Sequence, residues 1–425
     1  MEIRDPIHGS LELTPPEVAV LDSAAFQRLR GIKQLGFGEF SFPGAVHNRY
    51  IHSLGVSHLA GEAFDRIFQG YNFQKKESRW RLRQAVKLAA LLHDVGHGPL
   101  SHTTEEVMPQ LSELKLGFLK NETSTRQANH EDYTLKFILD SSLGETIREN
   151  FPDMSPRHVA CLIDRNLQNT DDFFVDHGLN LRPILTQIVS SELDCDRMDY
   201  LVRDSYFCGT SYGRVELHWL IGNLTYHIVN DQMYLAISRR ALYTFDDFLI
   251  SRHHMYLMVY FHHKAIIYDE MLSRYLTSAD CSYRIPADID QYLSYDDYHL
   301  YQHLKSAANP WAQRIAQRRP FRVLYELHET SQNSKPQIVE ELLTKNGIES
   351  IHTSSVARLS KYHASLDPSG LQIYVVDPLN RSEKPYPLEQ STEIFQRYEK
   401  HRTIERIYVA PEDYAAAENL IASGI

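Results

Sequence analysis

The sequence predicts a mainly α protein: an all-helical core with one short β-hairpin, followed by a smaller α+β C-terminal region. Three observations carry this reading. Apolar residues recur at helical spacing through the first two thirds of the 425-residue chain. One alternating stretch around Asn230-Asp231 interrupts them. From about residue 281, short β-type runs alternate with helical segments. The boundary is therefore placed at 280, with 1–280 as the core and 281–425 as a region for packing or oligomerisation.

The elements follow in order. "TPPE" (14–17) reads as a capping box, with Thr14 as N-cap, Pro15 at the first helical position and Glu17 three residues on. Over 52–69, Val56, Leu59, Ala60, Ala63, Phe64 and Ile67 share one helical face. The next helix, ending at "HDVGHG", buries Leu82, Val86, Ala89 and Ala90 by the same spacing. Further helical patterns span 129–150, 183–206 and 246–276, and "LTYHIVNDQMYLAIS" (224–238) reads as the hairpin. In the C-terminal region "FRVLYEL" (321–327), "LQIYVVD" (371–377) and "RIYVAP" (406–411) read as strands, and "KPQIVEELLTKNG" (335–347) as a helix.

Composition narrows the function. A hydrophobic fraction of 43% with 23% charged residues is that of a soluble globular protein. The formal net charge of −11 argues against nucleic acid as the main partner. Cys161, Cys195, Cys208 and Cys281 form no CxxC pair, so neither a disulfide framework nor a thiolate zinc site is expected. The N-terminal "MEIRDPIHGS" lacks the apolar core of a secretory signal, and no apolar run approaches the roughly 20 residues of a membrane span. A cytoplasmic location without membrane association is the expectation.

Four polar residues fall on helix faces that are otherwise apolar. His93 lies four residues after Ala89, and His52 four before Val56. Ile184, Ile188 and Glu192 lead at i+4 steps to Asp196, and Asp94 follows His93 directly. Any one alone reads as a satisfied core polar group. Two imidazoles and two carboxylates turned inward together carry a steep desolvation penalty unless a cation joins them. This donor set suits one divalent transition metal: Mn, Fe, Zn, Co or Ni.

The ordered motifs "DPIHGSLEL", "FQRLRGIKQLG", "FPGAVHNRY", "HNRYIHSLGV", "HDVGHGPLSH", "HED" and "DCDRMDYLVRD" resemble those of the HD-domain phosphohydrolases, and specifically the dNTP triphosphohydrolase branch. The resemblance runs from about residue 3 to 275. It implies that His52, His93, Asp94 and Asp196 bind the metal, and that a dNTP carrying Mg²⁺ or Mn²⁺ is split into deoxynucleoside and inorganic triphosphate. It implies that His102, oriented by Glu105, acts at the scissile bond as general acid or nucleophile-positioning base. His130, held by Glu131, would be the second imidazole, and His97 a phosphate or structural contact. The family usually has Asp where Glu105 stands.

The resemblance also implies the substrate contacts. Arg49, Arg197 and Arg252 would neutralise the triphosphate, Tyr200 and Tyr260 would pack under the deoxyribose with Leu35, and Gln34 and Asp204 would bind the 3′-hydroxyl. Spacing alone puts Asp196, Tyr200 and Asp204 on one helical stripe, and Arg252, Tyr256 and Tyr260 on another. Arg197 stands where animal members have Lys, and Tyr256 where they have His. The glycines of "VGHGP" are expected to let backbone approach a phosphate.

Family members are dimers or tetramers, and several are activated by GTP or a dNTP between subunits. Asp22, Gln27 and Arg30 match the guanine-binding positions; the plainer reading makes Asp22 a helix cap and the other two a solvated face. Two other functions are weighed: another HD phosphohydrolase (nucleotide phosphomonoesterase or cyclic-nucleotide phosphodiesterase), and a nucleotide-sensing or single-strand nucleic-acid-binding module.

Overall fold

The computed structural model describes residues 1–117, 125–329, 335–357, 372–380, 382–391 and 402–424. The helices Arg49–Ile67 and Lys76–Leu92 pack on each other at its centre, and Pro156–Ile163, Arg182–Val189 and Cys195–Phe207 close around them. The predicted faces are those that are buried: Val56, Leu59, Phe64, Leu82, Val86 and Ala89 are all essentially solvent-free. Each full burial of a large apolar side chain is worth about 1.5–3 kcal/mol. The capping box also forms, Glu17 accepting the Thr14 N–H at 2.8 Å and the Thr14 hydroxyl at 3.0 Å. No helix among the described residues is long and apolar enough to cross a membrane.

Three patterns read as single helices are broken. The 129–150 pattern is His130–Leu139 and Ser142–Asn150, with the Ser141 hydroxyl accepting the Leu143 N–H to start the second. The 183–206 pattern is Arg182–Val189 and Cys195–Phe207. Between them Asp194 accepts N–H bonds from Ser191 and Arg197, both at 2.8 Å. The 246–276 pattern is Leu242–Met255, a π-helical turn Tyr256–Tyr260, and His263–Leu276. Apolar period persists across these joints, but short polar side chains take the backbone N–H groups and restart the helix.

The hairpin forms as read. Leu224–Val229 pairs antiparallel with Gln232–Ser238, Val229 opposite Gln232, and Asn230 and Asp231 both take positive φ (48° and 58°), the signature of a type I′ turn. A second hairpin, Glu2–Asp5 with Gly9–Glu12, went unread because its strands are four residues each.

Three C-terminal strands form an antiparallel sheet, Arg402–Val409 lying between Arg322–Glu329 and Ser350–Ala357. Helices Lys335–Lys345 and Tyr414–Gly424 cover it around a small core of Val339, Leu343, Ile407, Val409 and Ala417. The run 371–377 forms Tyr374–Val376 and instead joins the sheet of the hairpin, parallel to Gln232–Ser238; its first residue, Leu371, lies outside the described residues. The division at 280 needs correcting. Cys281, Tyr292, Leu300, Leu304 and Ile315 fill the main core, and the separate small core begins with the strand Arg322–Glu329. Sequence texture changes at 281, whereas the main core continues through Phe321 and takes in Ile351, Ile373, Val375, Leu388, Tyr408 and Ala410 as well.

Candidate metal centre and substrate cavity

Three helix ends bring the inward polar residues together. His52 sits in the first turn of Arg49–Ile67, which Asn48 caps by accepting the Ile51 N–H at 3.2 Å. His93 terminates Lys76–Leu92, and Asp196 is the second residue of Cys195–Phe207. Asp196 therefore reaches the site because Asp194 starts a new helix, not through the continuous i+4 stripe from Ile184. Asp196 Oδ1 lies 3.0 Å from His52 Nε2 and 3.5 Å from His93 Nε2. Asp94 Oδ1 lies 3.4 Å from His93 Nε2, and its Oδ2 lies 3.8 Å from His52 Nε2.

These residues fit a divalent cation. His52 donates from Nδ1 to Asp199 Oδ2 at 2.8 Å, and His93 from Nδ1 to the Ala90 carbonyl at 2.8 Å. Both rings thereby have Nδ1 engaged and turn Nε2 toward the carboxylates, where a metal would replace the proton on His52. His93 Nε2 is buried and has no hydrogen-bond partner. One ligand atom each from His52, His93 and Asp94 falls within a 4.8 Å span. Burial works against a proton on His52, but the bonds to Asp196 and Asp199 more than offset it and raise its pKa to about 10. Burial likewise opposes ionisation of Asp94, yet Arg49 and His93 hold its carboxyl well below the usual range. The site thus concentrates negative charge that protons or a metal must neutralise.

Support around the centre includes residues that sequence reasoning missed. Asp199 and the fully buried Arg203 lie on the same helix as Asp196, at i+3 and i+7. An arginine on the metal-ligand face was the available signal. Arg28 donates to the carbonyls of Val95 (2.9 Å), His97 (2.7 Å) and Tyr295 (2.8 Å), which fixes the turn after His93-Asp94. Asp297 accepts the Leu100 N–H at 2.8 Å and the Lys33 N–H at 3.0 Å, so the 281–321 segment helps to shape the site. The expected role of the turn glycines is also corrected. A Cβ on Gly96 would overlap the His130 carbonyl and the Thr134 N–H, so its bareness admits the His130–Leu139 helix rather than a phosphate.

Beside these candidate ligands stands a second imidazole group: His97, His102 and His130. Glu105 Oε1 accepts from His130 Nδ1 at 2.6 Å and from His102 Nδ1 at 3.0 Å. The partner of His130 is therefore Glu105, whereas Glu131, exposed at the next position, makes no hydrogen bond to that ring. His97 stacks on His130 with centroids 3.9 Å apart and planes 14° apart, and its Nε2 lies 3.2 Å from Asp94 Oδ1. Burial, Arg49 and His130 push the His97 pKa well down, so it serves as a neutral ring between the two groups.

Residues 49–203 match the HD domain, and residues 217–347 match the HD associated region. The chain carries an HD domain followed by an HD associated region. An uncharacterized protein of Mycoplasma pneumoniae is 34% identical over 264 residues, covering 60% of this chain and 55% of that protein. The human deoxynucleoside triphosphate triphosphohydrolase SAMHD1 is 28% identical over 288 residues, covering 65% of this chain and 44% of that protein. The chain spans about half the length of the curated relatives it matches. A crystal structure of a hypothetical protein from Aquifex aeolicus has a TM-score of 0.73 at 26% identity, covering 99% of each chain.

In this HD domain three of the four candidate ligands, His93, Asp94 and Asp196, line a cavity of about 310 Å³. Arg49, His97, His102, His130 and Glu131 line it, with Gln34 and Tyr200 also on its wall. Arg49 is held by Asp94 and by the Ser101 hydroxyl, at 2.8 Å from Nη2. The buried Gln34 amide oxygen has no partner.

Other expected contacts stand back from this wall. Arg197 pairs with Asp194, and Arg252 pairs with Glu192 at 3.0 Å. Asp204 accepts from His47 Nε2 and from the Tyr260 hydroxyl, both at 2.8 Å. Leu35 packs against the main core, and Tyr200 meets Tyr260 edge-on at 6.3 Å. Tyr256 contacts Tyr260 at 5.0 Å, but the π turn replaces the straight α stripe that spacing implied.

Asp22, Gln27 and Arg30 lie at the surface near Tyr50. Arg30 donates to Gln27 Oε1 at 2.8 Å and its guanidinium covers the Tyr50 ring at 3.6 Å. Asp22 is exposed and ends the helix Pro15–Leu21; Ser23, not Asp22, caps the following helix.

Proposed function

We propose that this chain is a metal-dependent dNTP triphosphohydrolase, cleaving at the α-phosphorus to give deoxynucleoside and inorganic triphosphate. One observation carries the reading: a single cavity joins a cation-binding donor set, a pre-oriented arginine and two imidazoles braced by one carboxylate. Relatives named as deoxynucleoside triphosphate triphosphohydrolases, aligned over 65% of the chain, support the same substrate class.

A divalent metal bound by His52, His93, Asp94 and Asp196 would supply Lewis-acid polarisation of a phosphoryl oxygen and a more acidic water. The chain's own groups do the rest. Arg49, already fixed by Asp94 and Ser101, offers its fork to phosphate oxygens with little reorganisation. Glu105 only accepts, so in the neutral His102 and His130 rings Nδ1 carries the proton and Nε2 keeps a lone pair. Those Nε2 atoms take a proton from the attacking water or, once protonated, deliver one to the departing 5′-oxygen. Gln34 and Asp204 would receive the 3′-hydroxyl, with Leu35, Tyr200 and Tyr260 against the sugar. Tyr256, Arg197 and Arg252 would complete the nucleotide pocket, the two arginines after leaving Asp194 and Glu192.

Nucleotide activation at Asp22, Gln27 and Arg30, by GTP or a dNTP, and assembly into dimers or tetramers belong to the same proposal. The clustering of the three side chains around Tyr50 supports it. The pairing of Arg197 and Arg252 with carboxylates favours a second reading, a nucleotide phosphomonoesterase that needs fewer cationic contacts.

Purified protein incubated with each dNTP, NTP and monophosphate, with Mn²⁺ or Mg²⁺ and with or without GTP, separates the two. Triphosphate release from dNTPs is the expected result; phosphate release from monophosphates alone would replace the first reading with the second.

A further inference from the structure

The hairpin Glu2–Asp5 with Gly9–Glu12 contributes nothing to the cavity wall, yet two side chains at its turn are buried against the support of the metal centre. Asp199 collects four hydrogen bonds. Its Oδ1 accepts from His8 Nε2 at 2.6 Å and Arg203 Nη2 at 2.9 Å. Its Oδ2 accepts from His52 Nδ1 at 2.8 Å and Arg203 Nε at 2.7 Å. A carboxylate offers about four lone-pair sites, so the acceptor capacity of Asp199 is full. Arg203, wholly buried, gives a further N–H to Asp5 Oδ2 at 2.8 Å. Asp5 Oδ1 then accepts the N–H groups of Ile7 and His8, each at 2.9 Å, and so shapes the turn that presents His8. Gly55, on the His52 helix, makes room: a Cβ there would overlap both Asp199 and Arg203.

We infer that the N-terminal hairpin locks the metal centre, Asp5 and His8 acting through Arg203 and Asp199 to fix the ring plane and tautomer of His52. Both are positioning residues, because neither reaches the metal ligands' facing atoms or the cavity. The argument is one of satisfaction in a dry site. Asp199 is 0% exposed, so removing His8 leaves Oδ1 with Arg203 Nη2 alone and one of its acceptor sites unfilled. The carboxylate then tilts toward new partners, and the His52 ring, whose Nδ1 it holds, tilts with it. Reciprocity follows: if the hairpin strengthens metal binding, metal binding must order the hairpin by the same free energy.

The full chain carrying His8→Ala or Asp5→Asn is compared with wild type for Mn²⁺ affinity, by chelator competition, and for the visible spectrum of its Co²⁺ form. Each substitution is expected to weaken Mn²⁺ by about tenfold, the lower range for groups supporting a metal ligand, and to shift the Co²⁺ bands. His8→Gln, which keeps an N–H donor at similar reach, is expected to restore both. In wild type, Mn²⁺ should slow hydrogen exchange at residues 2–12; this measurement needs no variant and decides the case even if His8→Ala does not fold. Unchanged Mn²⁺ affinity in His8→Ala, or hairpin exchange indifferent to Mn²⁺, would overturn the inference.

Discussion

His130 donates from Nδ1 to Glu105 Oε1 over 2.6 Å, and the same oxygen holds His102. Burial opposes ionisation of Glu105, but the two imidazoles keep its carboxyl well below the usual range. One carboxylate thus sets the tautomer of both rings.

Glu105→Gln weakens that acceptor and lets an amide N–H face the rings. Turnover is expected to fall by about 100-fold, the low end of what positioned acid–base groups contribute. Bound metal should stay at wild-type content by elemental analysis. Glu131→Gln, which leaves the His130 bond intact, should keep near wild-type turnover. A larger loss in Glu131→Gln than in Glu105→Gln would reverse the assignment.

His93→Ala and Asp196→Ala should each lose bound metal and activity together. The two residues approach to 3.5 Å at the candidate cation position, and either change removes one of four donors. Metal content by mass spectrometry is the readout; a metal-depleted variant that turns over normally would refute the centre.

Asp297 supplies a pH test of stability. Burial raises its pKa from 3.8 to about 6, against the pull of the Leu100 and Lys33 N–H groups. Below the unfolded value both states are protonated and stability is undiminished. As pH rises from 3.8 to about 6 the folded state keeps a proton that the unfolded state has released, so stability falls. The loss is on the order of 3 kcal/mol, complete above the folded pKa. Urea unfolding of wild type and Asp297→Asn between about pH 4 and pH 7 should show the wild-type curve declining relative to the variant. Parallel curves would contradict this.

Gly96→Ala should destabilise by about 1–3 kcal/mol or more, because the added methyl meets backbone of the His130–Leu139 helix rather than a side chain that can turn away. Chemical denaturation measures it. Turnover should fall as well, since relief requires moving His130. A stable, active alanine variant would show that the turn has more room than the packing implies.

Much of the site was legible because its chemistry is local. "HDVGHGPLSH" places His93 at a helix end and His102 beyond a turn, and both lie where that reading put them. Expectations that rest on period fail where a cap competes for the backbone. Asp196 was reached through a stripe that Ser190–Asp194 interrupts, and the Tyr256 stripe crosses a π turn. Pairings across long sequence distances left no local trace: His8 with Asp199, Arg28 with Val95 and His97, and Glu105 rather than Glu131 with His130.

The sequence by itself determined the class of the fold, the hairpin at Asn230-Asp231 and the donor types of the metal centre. Helical period, turn residues and the chemistry of imidazole and carboxylate are all written residue by residue. Only the tertiary structure decided which nitrogen of His52 and His93 faces the candidate centre and which carboxylate each of Arg49, Arg197 and Arg252 meets. It also decided where one core ends and the next begins. Those outcomes depend on how many acceptors each buried donor finds, and that count exists only once distant segments are packed together.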